Sequence, residues 1–207
     1  MYPLGRPSGC YHYFVNGAPD SAIPRNLRTI FLDRDGVLNE KMPEGSYVRS
    51  PADFHPLPDV AEAIGRLNHA GKRVIVVSNQ RGIAKGLYTE ADVDRIHAAF
   101  HSWLKNRGAY VDRFYFCPHD KDECNCRKPL TGLFDQAVAD FPGIQAATSA
   151  MIGDSQSDIE FGLRLGMLTV FIEGGAEQRK HGADEARELA DLRFPSLLEA
   201  VDALLDE

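Results

Sequence analysis

Short apolar, β-branched runs recur along this chain, each separated from the next by a stretch of helical period, and that alternation leaves few folds open. The runs cover 27–32, 73–78, 113–116, 149–153 and 168–172. Between them lie candidate helices. Asp59 opens the first with Glu62 at capping-box spacing, Val60, Ala63, Ile64 and Leu67 mark its buried face, and Gly71 ends it. Thr89 and Asp92 open the next, which carries Val93, Ile96, Phe100, Trp103 and Leu104 along one side. Pro129 suits a helix entry, so Leu130 to Phe141 is expected to be helical, as are the stretch after Asp154 through Leu165, a polar stretch near the end, and Ser196 to Leu205. Strands alternating with helices at this spacing predict an α/β fold: a three-layer, Rossmann-like, mostly parallel sheet with helices on both faces. Residues 27–207 are expected to form a single domain. Residues 1–26, broken by Pro3, Pro7, Pro19 and Pro24, read as an irregular extension in which Cys10 is a free thiol.

Charge narrows the partners. Lys plus Arg number 23 against 30 Asp plus Glu, a formal net charge of -7 with no basic block. Attraction to nucleic acid or to an anionic membrane is disfavoured. No apolar run is long enough to span a bilayer, and Tyr2 to Asn16 lacks the pattern of a secretory signal. The expectation is a cytoplasmic, monomeric enzyme with a small-molecule substrate.

In sheets of this kind, ligands bind beyond the carboxyl ends of the strands. Those ends carry Asp33 and Asp35, Ser78 and Asn79, a cysteine-containing loop running into Arg127 and Lys128, and Asp154. An acid pair after one strand is ordinary turn chemistry. Four strand ends bearing reactive groups call for another explanation. Asp33 and Asp35 stand two residues apart on extended chain and project together, and Gly36 lets the backbone turn beside them. The set suggests phosphoryl transfer through an aspartyl-phosphate. Asp33 and Asp154, with a main-chain carbonyl at Asp35, suit Mg²⁺, and Lys128 adds a cation for the transferring group. Ser78 offers a hydroxyl to a phosphate oxygen. Asp35, protonated at first, gives its proton to the leaving alcohol and then activates water. Asp158 either supports the metal or favours its helix N-terminus, and the second reading is preferred.

A second cluster, Cys117, His119, Cys124 and Cys126, completes a Cys₃His ligand set. Four protein ligands leave no open position, so Zn²⁺ here is expected to be structural, ordering the loop that delivers Arg127 and Lys128.

The motifs Asp33-Arg34-Asp35-Gly36, Ser78-Asn79-Gln80, Lys128 within Cys-Arg-Lys-Pro, and Gly153-Asp154-Ser155-Gln156-Ser157-Asp158 resemble those of the haloacid dehalogenase superfamily of phosphatases. The resemblance spans roughly 28–175 and implies Asp33 as nucleophile and Asp35 as acid/base. The cysteine cluster and the run from Ser78 to Gly86 are more similar to the branch that acts on D-glycero-D-manno-heptose 1,7-bisphosphate and on histidinol phosphate. Gly45-Ser46-Tyr47-Val48 favours the heptose type. The short loop from His119 to Cys124, and Ser155 where heptose members often have Lys, depart from it. No large cap domain is expected, so specificity falls to loops 39–52, 80–88 and 118–128. Asn79, Arg49, Arg81, Lys85 and Arg127 are the candidate substrate-binding residues. Two other readings are a non-catalytic, zinc-stabilised binding domain and a DNA 3′-phosphatase, the latter disfavoured by the acidic chain.

Overall fold

The computed structural model describes residues 26–43, 45–174 and 183–206. The expected extension over 1–26 and its Cys10 lie outside them, apart from Asn26. Strands β1 (Thr29–Leu32), β2 (Arg73–Asn79), β3 (Arg113–Cys117), β4 (Ser149–Gly153), β5 (Leu168–Ile172) and β6 (Leu192–Phe194) form one sheet in the order β3-β2-β1-β4-β5-β6. Every pairing is parallel. The chain winds outward from β1 through β2 to β3, then returns to the other side of β1 and winds away through β5 to β6. That reversal puts a crevice at the carboxyl ends of β1 and β4. Asp33 follows β1 there, and its N–H donates to Ile152 O at 2.9 Å.

Helices α1 (Val60–His69), α2 (Glu90–Lys105) and α6 (Leu197–Leu205) cover one face. Alternate strand residues point into it: Ile30 and Leu32, Val74 and Val76, Ala150 and Ile152. Their neighbours Phe31, Ile75, Val77 and Met151 point the other way, onto α3 (Gly132–Asp140) and α4 (Gln156–Leu165). Helix α5 (Ala183–Leu189) packs Ala186 near Ile159 and Phe171 on that same side. Three layers with both sheet faces covered match the composition of the strands. Phe31, with no exposed surface, is one of the side chains whose removal from water drives the assembly, at about 1.5–3 kcal/mol each.

Local details depart from the sequence reading. Asp59 is the N-cap of α1 but sits at φ 60° and makes no side-chain cap bond, so the capping box expected there does not form. The boxes do form at Thr89–Asp92 and Ser155–Asp158. Helix α3 starts at Gly132 rather than Leu130, because the preceding residues are tied to the cysteine loop: Leu130 N–H donates to Arg127 O at 2.8 Å and Gly132 N–H to Asn125 O at 3.0 Å. A Cβ on Gly132 would press against the Asn125 backbone, so glycine is required at this approach. Strand β6 escaped the sequence reading, being only three residues long. Helix α2 buries His97 and stacks it on Phe114.

Candidate active site

Lys128 is the hub of the crevice. Its side chain is 1 % exposed, and its ammonium donates to Asp33 Oδ1 at 2.8 Å and Val77 O at 2.7 Å and forms an ion pair with Asp158 Oδ1 at 2.6 Å. Burial alone would lower the Lys128 pKa, but Asp158 and Asp33 together raise it, so the ammonium stays charged. Asn79 fixes the main chain of the same residue, its Oδ1 accepting from Lys128 N–H at 2.9 Å and its Nδ2 donating to Lys128 O at 3.0 Å. The amide expected to touch substrate thus holds a neighbour in place while also lining the cavity.

Asp33, Asp154 and Asp158 bring carboxylate oxygens within 4.8 Å of one another. Burial, then Asp158, push Asp33 up to about 7 against the opposing pull of Lys128. Carboxylates crowded in this way call for a cation, and octahedral Mg²⁺ with bonds of about 2.1 Å accepts oxygens at such separations. Asp158 has prior commitments: its Oδ2 accepts from Ser155 N–H at 3.1 Å and Ser155 Oγ at 2.6 Å, closing the cap of α4. It therefore serves the helix N-terminus and Lys128. Asp154 packs against Gly36, where φ is +102° and any Cβ would collide with the carboxylate. Its Oδ2 receives the ammonium of Lys41, whose side chain is only 7 % exposed.

Asp35 is clamped. Arg34 donates from Nε and Nη2 to its carboxylate at 2.9–3.2 Å, Asn39 Nδ2 donates at 3.0 Å and Gln80 Nε2 at 3.2 Å. Burial would raise this acid, but the buried Arg34 guanidinium and these donors outweigh it and hold it below its usual range. The sequence reading had Asp35 protonated at first; with no phosphate bound, the guanidinium of Arg34, which turns back to pair with it, favours the carboxylate form. Ser78 is fully buried, its hydroxyl accepting from Gln80, which in turn accepts from Tyr88 Oη at 2.8 Å. Ser78 does not line the cavity.

A cavity of about 720 Å³ opens over these groups. Asp33, Asp35, Lys128 and Asp154 form its floor, and Arg81, Lys121 and Arg127 add positive charge. Arg81 pairs with Asp120 at 2.5 Å, and Arg127 Nη1 reaches His119 O at 3.4 Å, so both cations are braced by the cysteine loop. Two proposed cations fall outside the lining. Arg49 is exposed beside the turn at 51–53, and Lys85 donates to Tyr47 Oη at 3.0 Å, leaving Tyr47 to face the cavity. The sequence reading assigned no individual role to Lys41, Tyr47, Gln156 or Glu160, although Tyr47 and Gln156 fall within motifs it quoted. All but Lys41 line the cavity, and nothing in the local pattern marks Lys41 or Glu160.

Cys117, His119, Cys124 and Cys126 converge as their spacing predicts. Their Sγ and Nδ1 atoms lie 3.4–3.7 Å apart along the four closest edges, and the three thiols are free. A tetrahedron with Zn–S bonds of about 2.3 Å has edges of roughly 3.7 Å, so the donor set and its size fit zinc. Burial and the adjacent thiols raise Cys126, a crowding that a dication relieves.

The HAD-hydrolase-like family profile matches residues 125–200. A D-glycero-beta-D-manno-heptose-1,7-bisphosphate 7-phosphatase of Pseudomonas putida is 34% identical over 154 residues, covering 74% of this chain and 86% of that protein. A probable heptose bisphosphate phosphatase of Thermoplasma volcanium is 36% identical over 141 residues, covering 67% of this chain and 94% of the relative. The chain belongs to this haloacid dehalogenase-like phosphatase family. Among solved members, the D,D-heptose 1,7-bisphosphate phosphatase of Bordetella bronchiseptica, crystallised with magnesium and phosphate, superposes with a TM-score of 0.75 at 29% identity. That match covers 86% of this chain and 98% of the other. Family membership accounts for the phosphatase-like floor; the cations above it belong to loops, where members of one fold differ most.

Proposed function

We propose that this phosphatase hydrolyses the 7-phosphate of D-glycero-D-manno-heptose 1,7-bisphosphate through an aspartyl-phosphate on Asp33. The observation that carries the reading is the meeting of Asp33, Lys128 and Asp154 at the β1/β4 crevice, beneath a cavity whose loops add Arg81, Lys121 and Arg127. One phosphate at the floor and a second near the loop cations account for both groups of charge.

Asp33 and Asp154, with the main-chain carbonyl at Asp35, would hold Mg²⁺, which screens the carboxylate nucleophile from the phosphate dianion. Asp33 attacks phosphorus as the sugar oxygen departs, and Lys128 balances charge on the transferring group. Arg34, Asn39 and Gln80 orient Asp35, the proton carrier, towards the leaving oxygen. The arriving dianion adds negative charge beside Asp35, which favours its protonated form and the donation of that proton. As a carboxylate again, Asp35 takes a proton from the water that cleaves the aspartyl-phosphate. Asn79 holds Lys128 in register, and the zinc loop braces Arg81 and Arg127.

The test compares kcat/KM on both anomers of the heptose bisphosphate, on histidinol phosphate and on a 3′-phosphorylated oligonucleotide, with Asp33→Asn as control. The heptose bisphosphate is expected to lead and the variant to lose at least a thousandfold. Preference for histidinol phosphate, which the short loop from His119 to Cys124 would suit, overturns the substrate; normal turnover by Asp33→Asn overturns the mechanism.

A further inference from the structure

The proposed reaction uses the floor of the cavity and the cations of its loops, and at the start of α4 it employs only Asp158, which pairs with Lys128. The first two turns of that helix also place Gln156 and Glu160 on the lining. The two are joined: Gln156 Nε2 donates to Glu160 Oε1 at 2.8 Å, as an i, i+4 pair on one helix face allows. Both are half-buried. The position of the carboxylate is informative. Arg81, Lys121, Arg127 and Lys128 all line the same cavity, yet among the described residues no salt bridge joins Glu160 to any cation. Arg81 pairs with Asp120, and Lys128 with Asp33 and Asp158.

A carboxylate in that position repels a phosphate group. It has about four acceptor sites, of which Gln156 takes one, and the Gln156 carboxamide adds an acceptor oxygen of its own. Acceptors grouped beside an anion-binding floor match a ligand segment that carries hydroxyl donors and no charge. Such acceptors also discriminate, because a buried polar group left unpaired by the wrong ligand costs about 1–3 kcal/mol.

We propose that Gln156 and Glu160 read the hydroxyl-bearing carbon chain of the substrate, making α4 the polyol-recognising wall of the site. This rests on the phosphatase reading above and extends it: the phosphate is held by the floor, any second phosphate by the loop cations, and the uncharged middle by α4. The chemical class selected is a phosphorylated polyol or sugar with adjacent free hydroxyls.

The test measures Glu160→Ala and Glu160→Gln against wild type on two kinds of ester. One is the sugar phosphate turned over best in a panel; the other is phenyl phosphate, which has no hydroxyl to read. The ratio of kcat/KM between them should fall about tenfold in Glu160→Ala and by less in Glu160→Gln. The loss should be carried by KM, with kcat on the sugar changing less than threefold. An equal fall on both esters, or an unchanged ratio, overturns the assignment. So does a selective loss on histidinol phosphate alone, since Glu160 would then be pairing with an ammonium. If wild type cleaves phenyl phosphate but no polyol phosphate, this inference fails while the phosphatase chemistry stands; failure on every ester sinks the phosphatase reading itself.

Discussion

Lys128 Nζ lies 2.8 Å from Asp33 Oδ1 and 2.6 Å from Asp158 Oδ1, with Lys128 and Asp158 closed to solvent and Asp33 open to it only through the cavity. One buried ammonium thus serves the proposed nucleophile and the cap of α4 together. Removing one partner of such a network strands the others, at about 3–5 kcal/mol. Lys128→Met is therefore expected to lose stability on that scale in urea unfolding, along with most of its activity. Adding Asp33→Asn to it should restore part of the stability, because one stranded charge is gone. Additive losses in the double-mutant cycle would show that the pair is not energetically coupled.

Lys41 on Asp154 makes a different prediction. The loop after β1 sends this lysine inward, where its ammonium sits on a carboxylate proposed to hold Mg²⁺. A fixed cation and a divalent ion repel across a shared ligand and compete for its oxygens. Lys41→Met should bind Mg²⁺ several-fold more tightly by calorimetric titration, and Lys41→Arg should stay near wild type. Weaker binding in Lys41→Met would mean that Lys41 acts chiefly by orienting Asp154.

The contrast between Asp154 and Lys41 shows what the sequence reveals. Asp154 is legible because it ends an apolar run, and parallel strands bring such ends to one edge of the sheet. Asp33 and Lys128 are legible for related reasons, and Cys117, His119, Cys124 and Cys126 because metal geometry constrains their spacing. Lys41 lies in an aperiodic loop, where nothing local fixes the direction of a side chain. Gln156 falls inside the last of the four motifs and Glu160 just beyond it, yet nothing in the sequence gives either a task. The protonation of Asp35 depends on Arg34 folding back onto it, and a one-dimensional pattern carries no such information. Asn79 was visible as a strand-end amide, yet its commitment to Lys128 arises from a contact with a residue 49 positions away.

The cysteine loop is predicted to act through bracing. It is bonded to the turn after β2 by Gln80 N–H to Cys117 O at 2.8 Å and Ala84 N–H to Pro118 O at 3.1 Å, besides the Arg81–Asp120 pair. Metal analysis should find about one zinc per chain. Stripping it with a zinc-selective chelator at saturating Mg²⁺ should lower the melting temperature and most of the activity, and zinc should restore both. Cys126→Ser should resemble the stripped protein. Full activity in zinc-free, reduced protein would remove the metal from this account.

The final prediction concerns His97, buried on α2 and subject to the charges of Arg34 and Asp35. Its ring stacks on Phe114 at 4.5 Å between centroids and meets Phe116 edge-on at 5.9 Å, and Nε2 has no hydrogen-bond partner among the described residues. Burial first, then the Arg34 charge, bring its pKa from 6.5 down to about 3, with Asp35 pulling weakly the other way. The folded state therefore binds this proton less readily than the unfolded chain. The stability due to a neutral His97 is complete above pH 6.5 and is lost as pH falls towards 3, at up to roughly 1.4 kcal/mol per pH unit. His97→Phe keeps an aromatic ring in the stack and cannot take up a proton. Urea unfolding of both proteins between pH 7 and 4.5 cancels the other titrating groups to first order, and wild type should lose stability more steeply. Parallel curves would mean that water or a rearranged Arg34 lets His97 ionise inside the fold.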